Sequence, residues 1–420
     1  MKIYKFGGAS VKDADGVRNL SKVLRQIGAN NTVLIVSAMG KMTNAFENIV
    51  DFYFNDKKIL SKKLEIVKEY HYNILNELFK DKTNPIFNQI DLIWMNLSKF
   101  IIKNNITDYN FVYDQIVSVA EIVSTKIIST FLISESIDNK WIDAKEFIKT
   151  NNDYREGKVD WNITEDNIRK LENTNQLIIT QGFIASGKNN NTTTLGREGS
   201  DYTAAIFAYC LNAESVTVFK DVAGVLNADP RVYKDTVLLS RISYREAIEM
   251  AFYGASVIHP KTLQPLQKKE IPLYVKSFIN PLEKGTVIKK GIDLEPMIPC
   301  YIVKDKQILV SISTRDFSFM MENDISEIFD LLHRFKLRVN LIQNTAISFS
   351  VCLEDKYNNF ANFLSELKVK YKGLFNKNVT LLTIRHFDTK AIASVKNNNE
   401  ILVQQTSRET VQFVVKTIKK

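Results

Sequence analysis

The sequence predicts an α/β sandwich built on a largely parallel sheet over residues 1–295, followed by a smaller α+β region over residues 300–420. Three observations carry that prediction. Short β-rich apolar runs alternate with helical periodicity through the first part. Two of the turns that lead into helices are glycine-bearing, and after Pro296 and Pro299 the pattern changes to βαββαβ. Length agrees, since 420 residues exceed what one hydrophobic core usually serves.

Residues 3–6 form an apolar run that stops at Gly7-Gly8, and Ser10-Val11-Lys12-Asp13 has the Ser-x-x-acid form of a helix N-terminus. Behind it Val17, Leu20, Leu24 and Ile27 keep helical spacing, and residues 32–36 are β-rich. Residues 44–135 are dominated by helical patterning, as at Ile90, Ile93, Trp94, Leu97 and Ile101, and end in a longer helix over residues 112–132. Strand signals return at 141–142, 177–180, 215–219 and 273–276, with helices at 201–211 and 244–252 between them. Beyond the prolines, residues 308–313, 338–344, 346–353 and 379–385 read as strands and 324–335 and 357–371 as helices, one complete unit of ferredoxin-like type. The remainder, from residue 388, offers one short helix and strands at 401–405 and 410–415. It reads as a second, incomplete copy that borrows elements from the first.

Composition narrows the classes. With 45% hydrophobic and 25% charged residues, disordered and collagen-like readings are excluded. The net charge of +9 and pI near 9.1 would suit an anionic partner, yet the lysines are scattered and form no block, which favours a solvated surface over a nucleic-acid footprint. Cys210, Cys300 and Cys352 lie far apart in no metal-like spacing, so no disulfide framework and no metal site is expected. No apolar h-region follows Met1, and no stretch approaches the roughly 18 apolar residues of a membrane span. A reducing, cytoplasmic location without nucleic-acid or membrane partners is the expectation.

Two loops could carry phosphate chemistry. In Lys5-Phe6-Gly7-Gly8-Ala9-Ser10 a strand ends in two glycines and runs into a helix, which lets backbone amides approach an anion while Lys5 adds charge; the bland alternative is a tight turn with a solvated lysine. In Thr194-Leu195-Gly196-Arg197-Glu198-Gly199-Ser200-Asp201 another glycine-bearing loop opens a helix, with Ser200 placed to cap it. Arg197 offers a planar fork for a carboxylate or phosphate, and Asp201 a carboxylate at the helix start. The stretch Gly182 to Asn189 is a near miss to a Walker A loop, but Asn189 stands where Ser or Thr would reach Mg²⁺ and no helix follows. No dinucleotide fingerprint follows a strand. His71 and His333 fall in helical segments and read as surface or satisfied residues, and His259, which precedes a proline, reads as structural.

These residues sit in a longer ordered series that resembles the monofunctional aspartokinases of the amino acid kinase family. The resemblance runs through Lys5-Phe6-Gly7-Gly8-Ala9-Ser10, Val36-Ser37-Ala38 with Thr43-Asn44, Glu121 with Ser124-Thr125, and Thr194 to Thr203. It continues through Asp221-Val222, Asp229-Pro230-Arg231 and Tyr253 to Pro260, and closes with a C-terminal pair of ACT regulatory domains. It implies an amino-acid-kinase-type αβα sandwich over 1–295, with an aspartate lobe to about residue 212 and a nucleotide lobe over 213–295. A tandem ACT region over 300–420 follows, its first unit at about 307–385.

The implied activity is transfer of the γ-phosphoryl group of ATP to the side-chain carboxylate of L-aspartate, with Mg²⁺, as the first step of lysine, threonine and methionine biosynthesis. By resemblance Lys5, Gly8 and Asp201 are the catalytic set, and Ser37, Thr43, Glu121, Arg197 and Ser200 surround aspartate. Arg197 would pair with the α-carboxylate and Glu121 with the α-ammonium. Nucleotide contacts fall on Lys5, Phe6, Gly7, Gly8, Lys220, Asp221, Leu226, Arg231, Ser256 and Val257. Lys220 stands where the family often has Thr, Leu226 where it has Tyr, and Ser256 where many members have Lys. An amino-acid effector, lysine or threonine, would meet Asp316, Phe317, Asn340 and Leu341, and the ACT pair implies a homodimer. The alternatives are an amino acid kinase with another acceptor and a catalytically silent amino-acid sensor that uses only its ACT domains.

Overall fold

The β-rich runs at residues 2–6 and 32–36 are short, largely buried on both faces and followed by helices long enough to cross over, which lets them pair parallel in one sheet. In the computed structural model, which describes residues 1–417 apart from 173, 256, 257, 317 and 398, the chain forms two compact units. The first comprises residues 1–225, 238–248 and 257–295, and the second 226–237, 249–256 and 296–420.

The first unit runs β1 (Lys2–Phe6), α1 (Ala14–Ile27), β2 (Thr32–Val36), α2 (Met42–Asn55), α3 (Lys57–Leu78), α4 (Pro85–Lys103), α5 (Tyr109–Ser134), β3 (Asn139–Trp141), α6 (Ala144–Phe147) and α7 (Trp161–Arg169). It continues through β4 (Leu177–Gln181), β5 (Ile184–Ser186), β6 (Thr192–Thr194), α8 (Gly199–Cys210), β7 (Ser215–Lys220), β8 (Arg241–Ser243), α9 (Tyr244–Tyr253), α10 (Pro260–Lys269), β9 (Leu273–Ser277) and β10 (Thr286–Lys289). Of these, the last residues of α9 belong to the second unit. The main sheet has the order β3-β4-β2-β1-β7-β9-β10-β8, and only the β9–β10 pair is antiparallel. β5 and β6 form a separate hairpin.

Successive side chains of β1 take opposite faces. Tyr4 and Phe6 join the apolar cluster under α1 to α5, where Phe6 stacks on Phe219 with ring centroids 4.6 Å apart. Lys5 is left for the face against α8. Two local expectations change here. The first helix is capped by Asp13, whose carboxylate accepts the Gly16 N–H at 2.8 Å, because residues Gly8–Val11 turn as a 3-10 helix before α1 begins. The statement that no stretch approaches a membrane span also needs amending: α5 is long and apolar enough by composition. Its apolar character has a different cause, since α5 is buried on most of its circumference in the core and carries the buried Asp114 and Glu121.

The second unit contains β11 (Cys300–Ser313), α11 (Glu322–Arg334), β12 (Arg338–Asn344), β13 (Ser348–Glu354), α12 (Phe360–Lys370), β14 (Lys372–Arg385), α13 (Thr389–Lys396), β15 (Asn399–Thr406) and β16 (Thr410–Thr417). They make one antiparallel sheet in the order β12-β13-β11-β14-β16-β15. β11 and β14 are twice as long as the sequence suggests and pair along their length, with a register break between Lys304 and Ile308. One half of each strand packs with α11 and α12 around Val310, Ile312, Phe349 and Phe363, and the other half lies with α13 around Ile384, Val411 and Phe413. Sharing two strands is how the incomplete second copy acquires a core. The extra halves escaped detection because Lys304, Asp305, Lys306 and residues 372–378 are largely solvated and read as polar loop.

Candidate active site

The site is set by where the parallel strands end. From β1 the chain adds β2 on one side and later β7 on the other, so the strand order reverses between β1 and β7, and loops from their carboxyl ends diverge there. Lys5, near the end of β1, is paired in register with Val218 of β7, and Lys220 closes β7. Both ammonium groups converge on the first turn of α8. Lys5 Nζ lies 2.6 Å from Asp201 Oδ1 and Lys220 Nζ 3.7 Å from Oδ2. Burial alone would raise the Asp201 carboxyl, but the charges and hydrogen bonds of Lys5 and Lys220 outweigh it and hold it below its ordinary range. Two cations and one anion leave a positive balance at the N-terminus of α8, an arrangement suited to a phosphate group.

The double-glycine loop lies against the loop after β2. Gly40 N–H donates to Gly8 O at 2.9 Å and Ser37 N–H to Phe6 O at 3.1 Å. A Cβ on Gly8 would lie 2.6 Å from Gly40 O and 2.7 Å from Ala38 O, so glycine is required by the close approach of two backbones. Ser124 of α5 donates its hydroxyl to Ser37 O at 2.8 Å. One turn earlier on α5, Glu121 is buried and takes the Ala38 amide hydrogen bond. Burial pushes its carboxyl up to about 8 against the lowering effects of that amide and of Lys5. Its Oε2 has no hydrogen-bond partner among the described residues. Thr43, half-buried, sits in the first turn of α2 behind the same loop.

The second signature loop follows the β5–β6 hairpin. Gly196 has φ 77° and Glu198 φ 52°, both left-handed, and this turns the chain sharply into α8. Arg197 at the apex is exposed and pairs with no carboxylate among the described residues. Ser200 does not cap α8 as the sequence suggested; the N-cap is Glu198, which makes no side-chain cap bond. Ser200 lies instead against the end of β4, where a Cβ on Gly182 would come within 2.5 Å of its hydroxyl oxygen. The structure thus gathers Lys5, Gly7, Gly8, Asp201 and Lys220 around one helix terminus, with Ser37 bonded to the end of β1 and Glu121 to Ala38 in the loop after β2.

The other expected residues lie outside this cluster. The Phe6 ring is core beneath the loop, which leaves only its backbone for a ligand. Asp221 is exposed just past β7. Leu226 and Arg231 belong to the second unit, where Arg231 forks onto Asp229 at 2.6 and 3.0 Å. Ser256, Val257 and Phe317 lie outside the described residues. Asp316 accepts hydrogen bonds from the Ser318 amide and hydroxyl, and Asn340 bridges Lys304 and Gln307. Leu341 is a core residue with Leu309, Val379 and Val414. No hydrogen bond joins these effector candidates to one another among the described residues. After Gly187 the chain makes a short 3-10 turn and enters β6, so the Walker-like stretch lacks a phosphate-binding helix.

His71 and His259 have structural partners. His71 is buried in α3 with Nδ1 2.7 Å from Val67 O, and burial pushes its pKa down to about 4. His259 caps α10, its Nδ1 accepting the Lys261 N–H at 3.2 Å. The sequence reading missed Asp114, a buried carboxylate two turns before Glu121 on α5. The spacing of the two acids along one apolar helix is the signal that could have found it.

A family comparison places this geometry. The profile of the amino acid kinase family matches residues 1–277. The chain belongs to the amino acid kinase family. Within that family it is 29% identical over 355 residues to the lysine-sensitive aspartokinase 3 of Escherichia coli K12, across 84% of this chain and 78% of that one. It is 28% identical over 449 residues to a bifunctional aspartokinase/homoserine dehydrogenase of Buchnera aphidicola, where 99% of this chain spans only 54% of the relative. The fold of this amino acid kinase superposes on E. coli aspartokinase III in complex with lysine and aspartate with a TM-score of 0.83 and 25% identity, covering 99% of this chain and 96% of the other. The same enzyme in complex with aspartate and ADP gives a TM-score of 0.82 at 25% identity and equal coverage.

Proposed function

We propose that this amino acid kinase is an aspartate kinase, which transfers the γ-phosphoryl group of ATP to the side-chain carboxylate of L-aspartate to give 4-phospho-L-aspartate and ADP. The observation that carries the reading is the cluster of buried Lys5 and Asp201 with the half-buried Lys220 at the strand-order reversal, beside the buried, half-partnered Glu121. E. coli aspartokinase III, which binds aspartate and ADP, shares the fold over 99% of this chain, and this supports the acceptor. Arg197 receives the α-carboxylate, Glu121 the α-ammonium, and Ser37, Thr43 and Ser200 the remaining polar groups. Lys5, Lys220 and the Gly7 and Gly8 amides hold the phosphates, and Asp221 is a further contact of the nucleotide.

The acceptor carboxylate is ionised at neutral pH, so the reaction needs no general base. Asp201, held ionised by its two lysines, orients them and takes no proton from the acceptor. The work of the chain is to place the acceptor oxygen and to neutralise charge on the transferred group through Lys5, Lys220 and the loop amides. The two lysines converging beside the double-glycine turn at the N-terminus of α8 fit a nucleotide phosphate. Among the described residues no three His, Cys, Asp or Glu side chains gather, so Mg²⁺ would arrive with the nucleotide and keep water and phosphate ligands.

In this reading the first unit is catalytic and the second regulatory, with the latter binding an amino-acid effector, lysine or threonine, and supporting a homodimer. The enzyme works in the cytoplasm, where its three buried cysteines form no disulfide with one another. Aspartate-dependent ADP release, with the acyl phosphate trapped by hydroxylamine, tests the proposal against glutamate and uridylate as competing acceptors. Lys5→Ala should lower turnover at least ~100-fold, in line with loss of charge stabilisation. Equal turnover in both proteins, or none with aspartate in the wild type, would refute it.

A further inference from the structure

Asp114 is a buried carboxylate to which the proposed mechanism gives no part, yet it ties together the segments that carry the acceptor site. It precedes Glu121 by seven positions (121 − 114 = 7), about two helical turns, so the two side chains share a face of α5. Asp114 is fully buried and accepts three hydrogen bonds from two segments distant in sequence. Oδ2 takes the Arg155 N–H at 2.9 Å and the Thr194 N–H at 3.0 Å, while Oδ1 takes the Thr194 hydroxyl at 2.7 Å.

Thr194 ends β6 just before Gly196 and Arg197. Arg155 belongs to the loop between Thr150 and Lys158, which is joined to β6 by Gly157 N–H to Thr194 O at 2.8 Å and by the Thr150 and Thr193 hydroxyls at 2.6 Å. Backbone strain marks the contact: Arg155 has φ 70°, a conformation that a non-glycine residue keeps only when its surroundings impose it. Its carbonyl lies 3.2 Å from where a Cβ on Gly196 would be. The Arg155 guanidinium sits 4.4 Å from the centre of the Tyr113 ring, and Tyr113 donates its hydroxyl to Glu47 at 2.6 Å, one turn beyond Thr43 on α2.

We propose that Asp114 is a positioning residue that locks the Thr194-to-Arg197 segment and the Arg155 loop onto α5, and so sets the separation between Arg197 and Glu121. The inference rests on the aspartate-kinase reading for the meaning of that separation, because the two groups would clamp the ends of one amino acid. A misplacement of about 1 Å costs on the order of 100-fold in such sites. An amide at position 114 removes the charge and one acceptor oxygen, so the Thr194 hydroxyl must accept from its NH₂ instead of donating, and the charge-assisted bonds to the Arg155 and Thr194 N–H groups weaken.

The test uses the full chain with Asp114→Asn, Thr194→Val, Thr194→Ser, Arg197→Ala and the Asp114→Asn/Arg197→Ala double variant. Amide hydrogen exchange should quicken ~10-fold or more in residues 194–199 and 151–157 of Asp114→Asn while β1 and β2 keep wild-type protection. Thr194→Val should show the same change in smaller degree, and Thr194→Ser should restore protection. If Asp114→Asn does not fold, the Thr194 pair decides the same question. KM for aspartate should rise ~10-fold or more in Asp114→Asn with KM for ATP within about 2-fold, and Asp114→Asn should add nothing in the Arg197→Ala background. Unchanged exchange in both segments, or an equal KM rise with and without Arg197, overturns the positioning role. If Arg197→Ala leaves KM for aspartate unaltered, the aspartate reading fails instead, and exchange alone then decides the role of Asp114.

Discussion

Glu121 offers the sharpest test of how the acceptor is bound. Its carboxyl is pushed up to about 8 by burial, so at pH 7 about nine-tenths of the unliganded enzyme carries it protonated. An incoming ammonium group needs the carboxylate, and binding therefore expels the proton. Aspartate binding at pH 7 should release roughly 0.9 proton, and the apparent dissociation constant should fall roughly 8-fold between pH 6.5 and 7.5 as the carboxylate fraction grows. That window starts above the Asp114 carboxyl, which burial pushes up to about 6. Titration calorimetry in buffers of different ionisation enthalpy reads the proton count directly. Glu121→Gln should bind aspartate more weakly, release almost no proton and lose the pH slope. Release below about 0.2 proton by the wild type, or an identical slope in Glu121→Gln, would refute the assignment of Glu121 to the ammonium.

The same shift has a stability consequence of definite sign. Because the folded carboxyl titrates above its unfolded value, wild-type stability is lost as pH rises from about 4.5 toward 8, so Glu121→Gln should melt higher than wild type at pH 8.5 and show a smaller difference at pH 5. Lys220→Ala should raise KM for ATP ~3-fold or more with KM for aspartate little changed, and Lys220→Arg should recover part of the loss; unchanged KM for ATP would remove Lys220 from the phosphate site. Gly8→Ala inserts a methyl group 2.6 to 2.7 Å from two carbonyl oxygens, which should cost about 1–3 kcal/mol in guanidinium unfolding and nearly abolish kcat. Wild-type turnover in Gly8→Ala would mean that the loop after β2 can move away freely.

Lys5, the double glycine, Arg197 and Asp201 were legible in the sequence because backbone needs and charge are local properties: a strand that stops at two glycines and a helix that opens on an acid are visible over a few residues. The central strands were legible for the same reason, being short, continuous and apolar. The first half of β11, whose buried Cys300 and Ile302 are cut off by the charged run at 304–306, and the solvated half of β14 were not, because pairing with a partner strand holds them extended. Ser200 misled because a serine at a helix start resembles a cap until Gly182 is seen packed against it.

What the sequence by itself determined is therefore the α/β class, the two signature loops and the chemistry their residue types allow. Only the tertiary structure decided that Lys5 and Lys220 share one carboxylate, since they reach Asp201 from neighbouring strands 215 residues apart (220 − 5 = 215). It also decided that burial raises the Glu121 carboxyl and that Asp114 joins two loops, because desolvation and buried hydrogen bonds depend on what surrounds a side chain in space, and sequence spacing does not report that.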